Sequence, residues 1–247
     1  MLTMMKKRGL NYPKISYMFR FSELFNGRSL IWKDNRPEKV GNTFLKDKII
    51  YHFRERSDLD AWHSYSDHMM NGHSWCELTQ SKNKKTIMFR GFLSNQMPSD
   101  RRPLPGMNYM PFCLMQTNPW ADAGEIGYID FHQFDALEIK FRGDGRQYNF
   151  KMHSDHTPVQ ENQCDVFEFP LKTNGGPQWQ TVRIPFSKFI ASRDTFYCGQ
   201  QYDEGLTGLG EHQMKKLRSI SWLRVMINDG VNGPFQFEID YIAVERC

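Results

Sequence analysis

Apolar and polar side chains alternate along much of this chain with a period of two. Around "EIKFRGDGRQYNFKM", residues 138–152, Leu137, Ile139 and Phe141 alternate with Glu138, Lys140 and Arg142. Beyond the glycines, Tyr148, Phe150 and Met152 alternate with Gln147, Asn149 and Lys151. This parity predicts two half-buried strands. Paired directly through a two-residue Asp144-Gly145 turn, they set Phe141 opposite Tyr148, Ile139 opposite Phe150 and Leu137 opposite Met152. Glu138 then meets Lys151 on the other face as an opposite-charge cross-strand pair. Asp-Gly also suits a type I′ turn, which needs positive φ at both positions. The same parity fits two strands in facing sheets, with both apolar sets pointing inward.

Similar runs recur. "KIIYHF" at 48–53 predicts a strand, and "SDLDAW" predicts a helix start with Ser57 as N-cap and Asp60 three residues on. "HSWCELTQSKNKKTIMFRGFL" predicts two strands around a Ser81–Lys85 turn. Further strands are expected at 111–117, 136–142, 146–153, 164–171 and 178–184, the last stopped by Pro185. "SISWLRVMIN" and "GPFQFEIDYIAVE" complete the set. Two long loops, 94–108 and 192–212, read as surface features of binding or mobile character. About nine or ten short strands with scarcely any helix predict an all-β protein, an antiparallel β-sandwich of jelly-roll type. Residues 1–46 lack periodicity and read as an irregular arm, leaving 47–247 as the sandwich domain.

Composition changes this picture in three places. With 19 Phe, 10 Tyr and 6 Trp, the chain is rich in residues that suit pleated, half-buried surfaces. No apolar run approaches the roughly 20 residues that span a bilayer. The net charge of +4 is local: residues 1–22 carry five bases and no acid, and the remainder has 27 bases against 28 acids. A basic arm, rather than a nucleic-acid-binding face, explains the pI. The arm lacks the apolar core of a secretory signal; it partly resembles a mitochondrial presequence and equally fits a basic tail. Five scattered cysteines form no CxxC and read as structural thiols in a reducing compartment.

Candidate chemistry weighs little. The 142–146 loop runs into a strand rather than a helix, so it is a poor phosphate cradle. Arg142-Gly143-Asp144 spells an adhesion tripeptide only by chance. His63, His68, His73 and Cys76 match no metal-ligand spacing. Ser66-Asp67-His68 and Ser154-Asp155-His156 are adjacent letters, whereas triads assemble in space. Gly205, Gly208 and Gly210 follow no strand. Asp130, Asp135 and Asp144 form no pair of catalytic spacing. Trp75, Trp120, Trp179 and Trp222 are candidates for a sugar platform, though packing is the commoner use. No enzyme, cofactor or metal site is expected.

Several motifs, taken in order, resemble one family. Trp62-x3-Ser66-Asp67, Gly72-x-Ser74 and Phe89-x-Gly91 are similar to the opening signature of the complex I intermediate-associated protein family. Arg142-Gly143-Asp144-Gly145-Arg146-x-Tyr148 matches its most specific motif. Trp179 with Ile184-Pro185-Phe186-x-x-Phe189, then Gly233-Pro234-Phe235-x-Phe237-x-Ile239, also fit. The resemblance spans about residues 48–245. It implies a galactose-binding-like jelly roll and a non-catalytic mitochondrial factor for assembling respiratory complex I. It also implies membrane-arm intermediates as partners, alongside an adaptor protein and an acyl-CoA-dehydrogenase-like protein. The matched residues are expected to be structural: Gly143 to Arg146 as the hairpin, and Trp62, Gly91 and Trp179 as packing positions. Where the family has Gly-Gly this chain has Asn71-Gly72, and Asn is the residue that best tolerates positive φ after glycine. A carbohydrate-binding module of the same fold is the alternative reading.

Overall fold

The alternating runs become strands of two facing antiparallel sheets. The structure is a computed structural model; it describes residues 47–96, 110–117, 120–122, 125–127, 129–154, 165–192, 217–218 and 220–246. All of them belong to the unit Lys39–Cys247. The basic arm and most of both long loops lie outside the described residues.

In chain order the strands are β1 (Asp47–Tyr51), β2 (Trp62–Ser66), β3 (Trp75–Gln80), β4 (Ile87–Leu93), β5 (Cys113–Thr117), β6 (Trp120–Asp122) and β7 (Glu125–Gly127). They continue with β8 (Ala136–Arg142), β9 (Gln147–Ser154), β10 (Asp165–Lys172), β11 (Gln180–Pro185), β12 (Ile190–Ser192), β13 (Ile220–Ile227) and β14 (Gly233–Glu245). One sheet has the order β11-β8-β14-β4-β3, with β1 also on β14; the other has the order β12-β10-β9-β13-β5-β2. β6 and β7 pair separately. The long β14 is flanked on one side by β4 (Gly233–Ile239) and then β1 (Ile242–Glu245), and on the other by β8.

Parity places the core. Phe235, Phe237 and Ile239 of β14, Leu137, Ile139 and Phe141 of β8, and Ile87, Phe89 and Leu93 of β4 point inward from the first sheet. Tyr148, Phe150 and Met152 of β9, Leu223, Val225 and Ile227 of β13, and Cys113 and Met115 of β5 answer from the second. Each buried side chain of Phe or Ile size stabilises by about 1.5–3 kcal/mol relative to exposure. The Tyr148–Phe237 ring pair, 4.6 Å between centroids, stitches the two layers, and Phe141 stacks on Phe237 within the first sheet at 5.1 Å.

Two expectations are corrected. β8 and β9 do not pair as a hairpin: β8 lies between β11 and β14 in one sheet, and β9 lies between β10 and β13 in the other. The facing-sheet alternative holds, with both apolar sets inward. The turn is not type I′ either, because Gly145 has positive φ (93°) and Asp144 does not. Lys151 therefore pairs with Glu168 at 2.9 Å, and Glu138 accepts from the Tyr241 hydroxyl at 2.6 Å. The second correction concerns α1 (Arg56–Asp60), a single turn that holds Ser57 inside it and has Glu55 as a cap without a side-chain bond. The Asp58 carboxylate instead accepts the backbone N–H groups of His52 and Phe53, each at 3.1 Å, fastening the turn to the end of β1.

Candidate functional site: two clasps and the outer sheet faces

Most of the motif residues gather into two hydrogen-bonded clasps. The first forms around Asp67, at the end of β2. Ser66 caps a 3-10 turn, Asp67–Met70, by accepting from the His68 N–H at 3.3 Å. That turn closes on Asn71 in the left-handed region at φ 64°, as its side chain allows. The Asp67 carboxylate, with no exposed surface, accepts from the Ser74 N–H (2.9 Å), the Ser74 hydroxyl (2.8 Å) and the Phe112 N–H (3.3 Å). Ser74 Oγ in turn accepts from the Ser94 N–H at 3.0 Å, and the Gly72 N–H donates to the Asp67 carbonyl at 2.8 Å. The segments at 67–74 and 112 thus share one buried carboxylate, and Ser94 joins them through the Ser74 hydroxyl.

Trp62 lies in the core beneath, against the rings of Tyr51 (5.4 Å) and Phe53 (6.0 Å). Gly91 is required by its neighbours: a Cβ there would lie 2.1 Å from the Trp75 carbonyl oxygen and 3.0 Å from the Phe235 ring.

The second clasp forms where the chain crosses from β8 to β9. The Arg146 guanidinium grips Asp229 through two parallel bonds, Nε to Oδ2 at 3.0 Å and Nη2 to Oδ1 at 2.6 Å. Its remaining N–H groups reach the carbonyls of Val231, Gly233 (3.1 Å) and Pro234 (3.0 Å). All five donors are thereby engaged. Asp144 accepts from the Arg146 N–H (3.0 Å), the Tyr148 hydroxyl (3.1 Å) and the Gln236 N–H (2.7 Å). Thr173 joins by accepting from the Gly145 N–H at 2.9 Å and donating to the Arg146 carbonyl at 2.8 Å. Gly143 must be glycine unless Thr173 moves, since a Cβ would meet the Thr173 side chain at 2.4 Å. Burial, then the neighbouring Asp144, pushes the Tyr148 hydroxyl far above its ordinary ionisation range. Gly233 and Phe235 open β14 beside this clasp, and Phe235 packs on Phe89 at 4.9 Å. Pro185 ends β11, and the next residue, Phe186, donates its N–H to the Asp135 carbonyl at 2.9 Å.

Trp179 belongs to neither clasp. It is 38% exposed on the outer face of the first sheet, where the Arg142 guanidinium lies 5.1 Å and the Lys140 ammonium 5.8 Å from its ring centre. Arg142 Nε also donates to the buried Glu238 at 2.6 Å, and Thr86 shares that carboxylate. Neighbouring strands add Lys140–Asp240 (2.8 Å), Arg183–Glu245 (2.7 Å) and Arg90–Glu77 (2.6 Å). Tyr241, which also faces Lys140, has its hydroxyl pushed up to about 12 by burial and then by its bond to Glu138. The outer face of the second sheet carries a row running across five strands: His63, Gln116, Arg224, Lys151 and Glu168. Arg224 donates to Gln116 at 2.8 Å.

Among the described side chains, Trp75, Trp179 and Trp222 do not line up as a platform. Trp75, exposed, lies on edge strand β3, three strand spacings or about 14 Å from β8, over which Trp179 lies. Trp222 lies on the other sheet, its ring stacked on His153 (5.1 Å) and contacted by Arg224 (4.1 Å). The Trp120 side chain is outside the described residues.

Among the histidines, His68 Nδ1 lies 3.3 Å from the Gly72 carbonyl, His63 joins the polar row, and Cys76 donates to the Tyr65 carbonyl at 3.1 Å. Among the described residues no three His, Cys, Asp or Glu side chains group as for a metal ion, and no helix is long and apolar enough to cross a membrane. Gly205, Gly208, Gly210, Asp155 and His156 lie outside the described residues.

Asp229 and Phe112, which complete the clasps, were not singled out in the sequence. Asn228-Asp229-Gly230, a turn tripeptide just before β14, was the available signal for the first.

The family model of complex I intermediate-associated protein 30 matches residues 51–239. The mitochondrial complex I intermediate-associated protein 30 of Mus musculus is 33% identical over 199 residues, 80% of this chain and 56% of that protein. A probable mitochondrial counterpart in Caenorhabditis elegans is 29% identical over 199 residues, covering 80% and 54%. The chain spans about half the length of the curated relatives it matches. Among solved structures, a family 11 carbohydrate-binding module from Clostridium thermocellum, in complex with a β-1,3-1,4-mixed-linked tetrasaccharide, superimposes with a TM-score of 0.51 at 14% identity. That match covers 81% of this chain and 96% of the module, a likeness of fold alone.

Proposed function

The chain belongs to the complex I intermediate-associated protein 30 family, and from that premise we propose that it is a non-catalytic assembly factor for mitochondrial respiratory complex I. The observation that carries this reading is the family match, which runs from Tyr51 at the end of β1 to Ile239 midway along β14. Its work is recognition: it holds membrane-arm intermediates, together with an adaptor protein and an acyl-CoA-dehydrogenase-like protein, while subunits join. The matched residues serve the fold rather than a reaction. Their carboxylates are occupied, Asp67 by three donors and Asp144 by three more. A catalytic acid or base would need reach to a substrate.

Partner contact is assigned to the 94–108 and 192–212 loops, the first of which leaves the Asp67 clasp at Ser94 and the second the end of β12 at Ser192. Residues 1–46 are a basic arm that directs the chain to the mitochondrial matrix, where the domain works in peripheral contact with the inner membrane. The scattered tryptophans do not favour a glycan-binding role.

The test is a native-gel profile of complex I from mitochondria depleted of this protein. Loss of mature complex with accumulation of partial assemblies is expected. A normal profile would overturn the assignment.

A further inference from the structure

Two of the five cysteines meet between the sheets. Cys76 is on β3, the edge of the first sheet, and Cys113 opens β5 in the second. β3 packs against both β5 and its neighbour β2. The thiols reach across in opposite directions: Cys76 Sγ donates to the Tyr65 carbonyl on β2 at 3.1 Å, and Cys113 Sγ to the Trp75 carbonyl on β3 at 3.5 Å. Each sulfur therefore lies against the backbone of the other's sheet, Cys113 Sγ reaching the carbonyl of the residue just before Cys76. Both are free, Cys113 buried and Cys76 half-buried.

We propose that Cys76 and Cys113 form an intramolecular disulfide that ties the two sheets together. The oxidant is a small-molecule disulfide such as glutathione disulfide. The Cys76 thiolate, the more accessible, attacks one of its sulfurs; a mixed disulfide forms and one glutathione thiolate leaves. The Cys113 thiolate then attacks the Cys76 sulfur, closing the protein disulfide and releasing the second glutathione. Two protein thiols give up two protons and two electrons, and the small disulfide takes up both as two thiols.

In the reduced pair the neighbouring Cys76 thiol, then burial, pushes the Cys113 thiol well above its ordinary ionisation range. Each step needs a thiolate, so closure speeds up as pH rises. Once closed, the bond fastens the start of β5 to the edge of the first sheet. It also encloses the chain between them, which includes residues 94–108.

The experiment incubates the full chain with glutathione disulfide or with a thiol reductant, then blocks free thiols after denaturation and maps the peptides by mass spectrometry. A Cys76–Cys113 cross-linked peptide is expected, forming faster at pH 9 than at pH 7, with a melting temperature higher than the reduced protein's by about 5–15 °C. In Cys76→Ser, itself folded and melting near the reduced parent, the peptide and the shift both disappear. The proposal is overturned if the oxidised wild-type chain yields Cys76 and Cys113 as blocked thiols, or if either is joined instead to Cys164, Cys198 or Cys247. The peptide map needs only the wild-type protein, so a variant that folds poorly does not spoil it.

Discussion

At Asp67 a fully enclosed carboxylate is held by two backbone N–H groups and one hydroxyl. At Arg146 a guanidinium with 12% of its side chain exposed is held by a carboxylate and three carbonyls. Both clasps draw distant segments to the sandwich, but they differ in what is left when the central residue goes. Around Asp67 the orphaned donors would face core, where no water replaces the lost acceptor. Around Arg146 the orphaned carbonyls and Asp229 lie near the surface and can be rehydrated. The lesson is that formal charge and number of bonds rank a clasp less reliably than what surrounds it.

The largest expected effect tests that ranking. Asp67→Ala should lower the unfolding free energy by about 3–5 kcal/mol, read from denaturant midpoints. Asp67→Asn should lose less, because one oxygen remains while the new amide opposes a donor. A loss below about 1 kcal/mol in the alanine variant would show that the enclosure does not matter.

Arg146→Ala should lose about 2–4 kcal/mol. Arg146→Lys should recover under half, since an ammonium cannot reproduce the two parallel bonds to Asp229. If Arg146→Ala proved worse than Asp67→Ala, the comparison would be reversed.

Alkaline titration sharpens the picture at a third position. Tyr148 and Cys113 both ionise at higher pH folded than unfolded. The unfolded chain therefore releases these protons first, and the stability they contribute is complete below the unfolded pKa values. It is lost as pH climbs past roughly 9 for the thiol and 10 for the phenol, at about 1.4 kcal/mol per pH unit for each group. Tyr148→Phe should remove the phenol's share of that slope in denaturation measured from pH 8 to 11, while losing its bond to Asp144. An unchanged slope would place the phenol's ionisation elsewhere.

The smallest effect belongs to Asn71→Gly, expected to change stability by under about 1 kcal/mol, because relief at φ 64° is offset by a more flexible unfolded chain. A large change would mean that the Asn71 side chain contributes to the Asp67 clasp.

Side-chain parity made the strands legible, since facing inward or outward is a property of a few neighbouring residues. β8, β9, β10 and β14 fall within a residue or two of where alternation put them. Parity could not say that β8 pairs with β11 and β14 rather than β9, because partners are chosen by the whole sheet. For the same reason the clasps were only half visible. Asp67 and Arg146 stood within matched motifs, yet Phe112 lies 45 residues from the one and Asp229 lies 83 from the other. The short strands β6, β7 and β12 are too brief for a period to register. Ser57 misled because a capping pattern specifies residue types, and at this turn Asp58 bonds to the preceding strand end instead.

The position of β14 in the first sheet has a consequence for the order of events during synthesis. It supplies the pairing edge for β1, β4 and β8, yet among the described strands it is the last to be synthesised. Asp47 and Glu245, nearly the full length of the described chain apart, are register partners. Until residues 233–245 emerge, those three earlier strands lack their common neighbour, and the Phe89 ring of β4 and the Phe141 ring of β8 lack the Phe235 and Phe237 rings they pack on. Such a high contact order makes folding slow, and it leaves sticky half-sheets waiting in the meantime. The domain is therefore all or nothing with respect to chain length: a fragment stopped short of β14 will aggregate or be degraded rather than fold as a smaller version of itself.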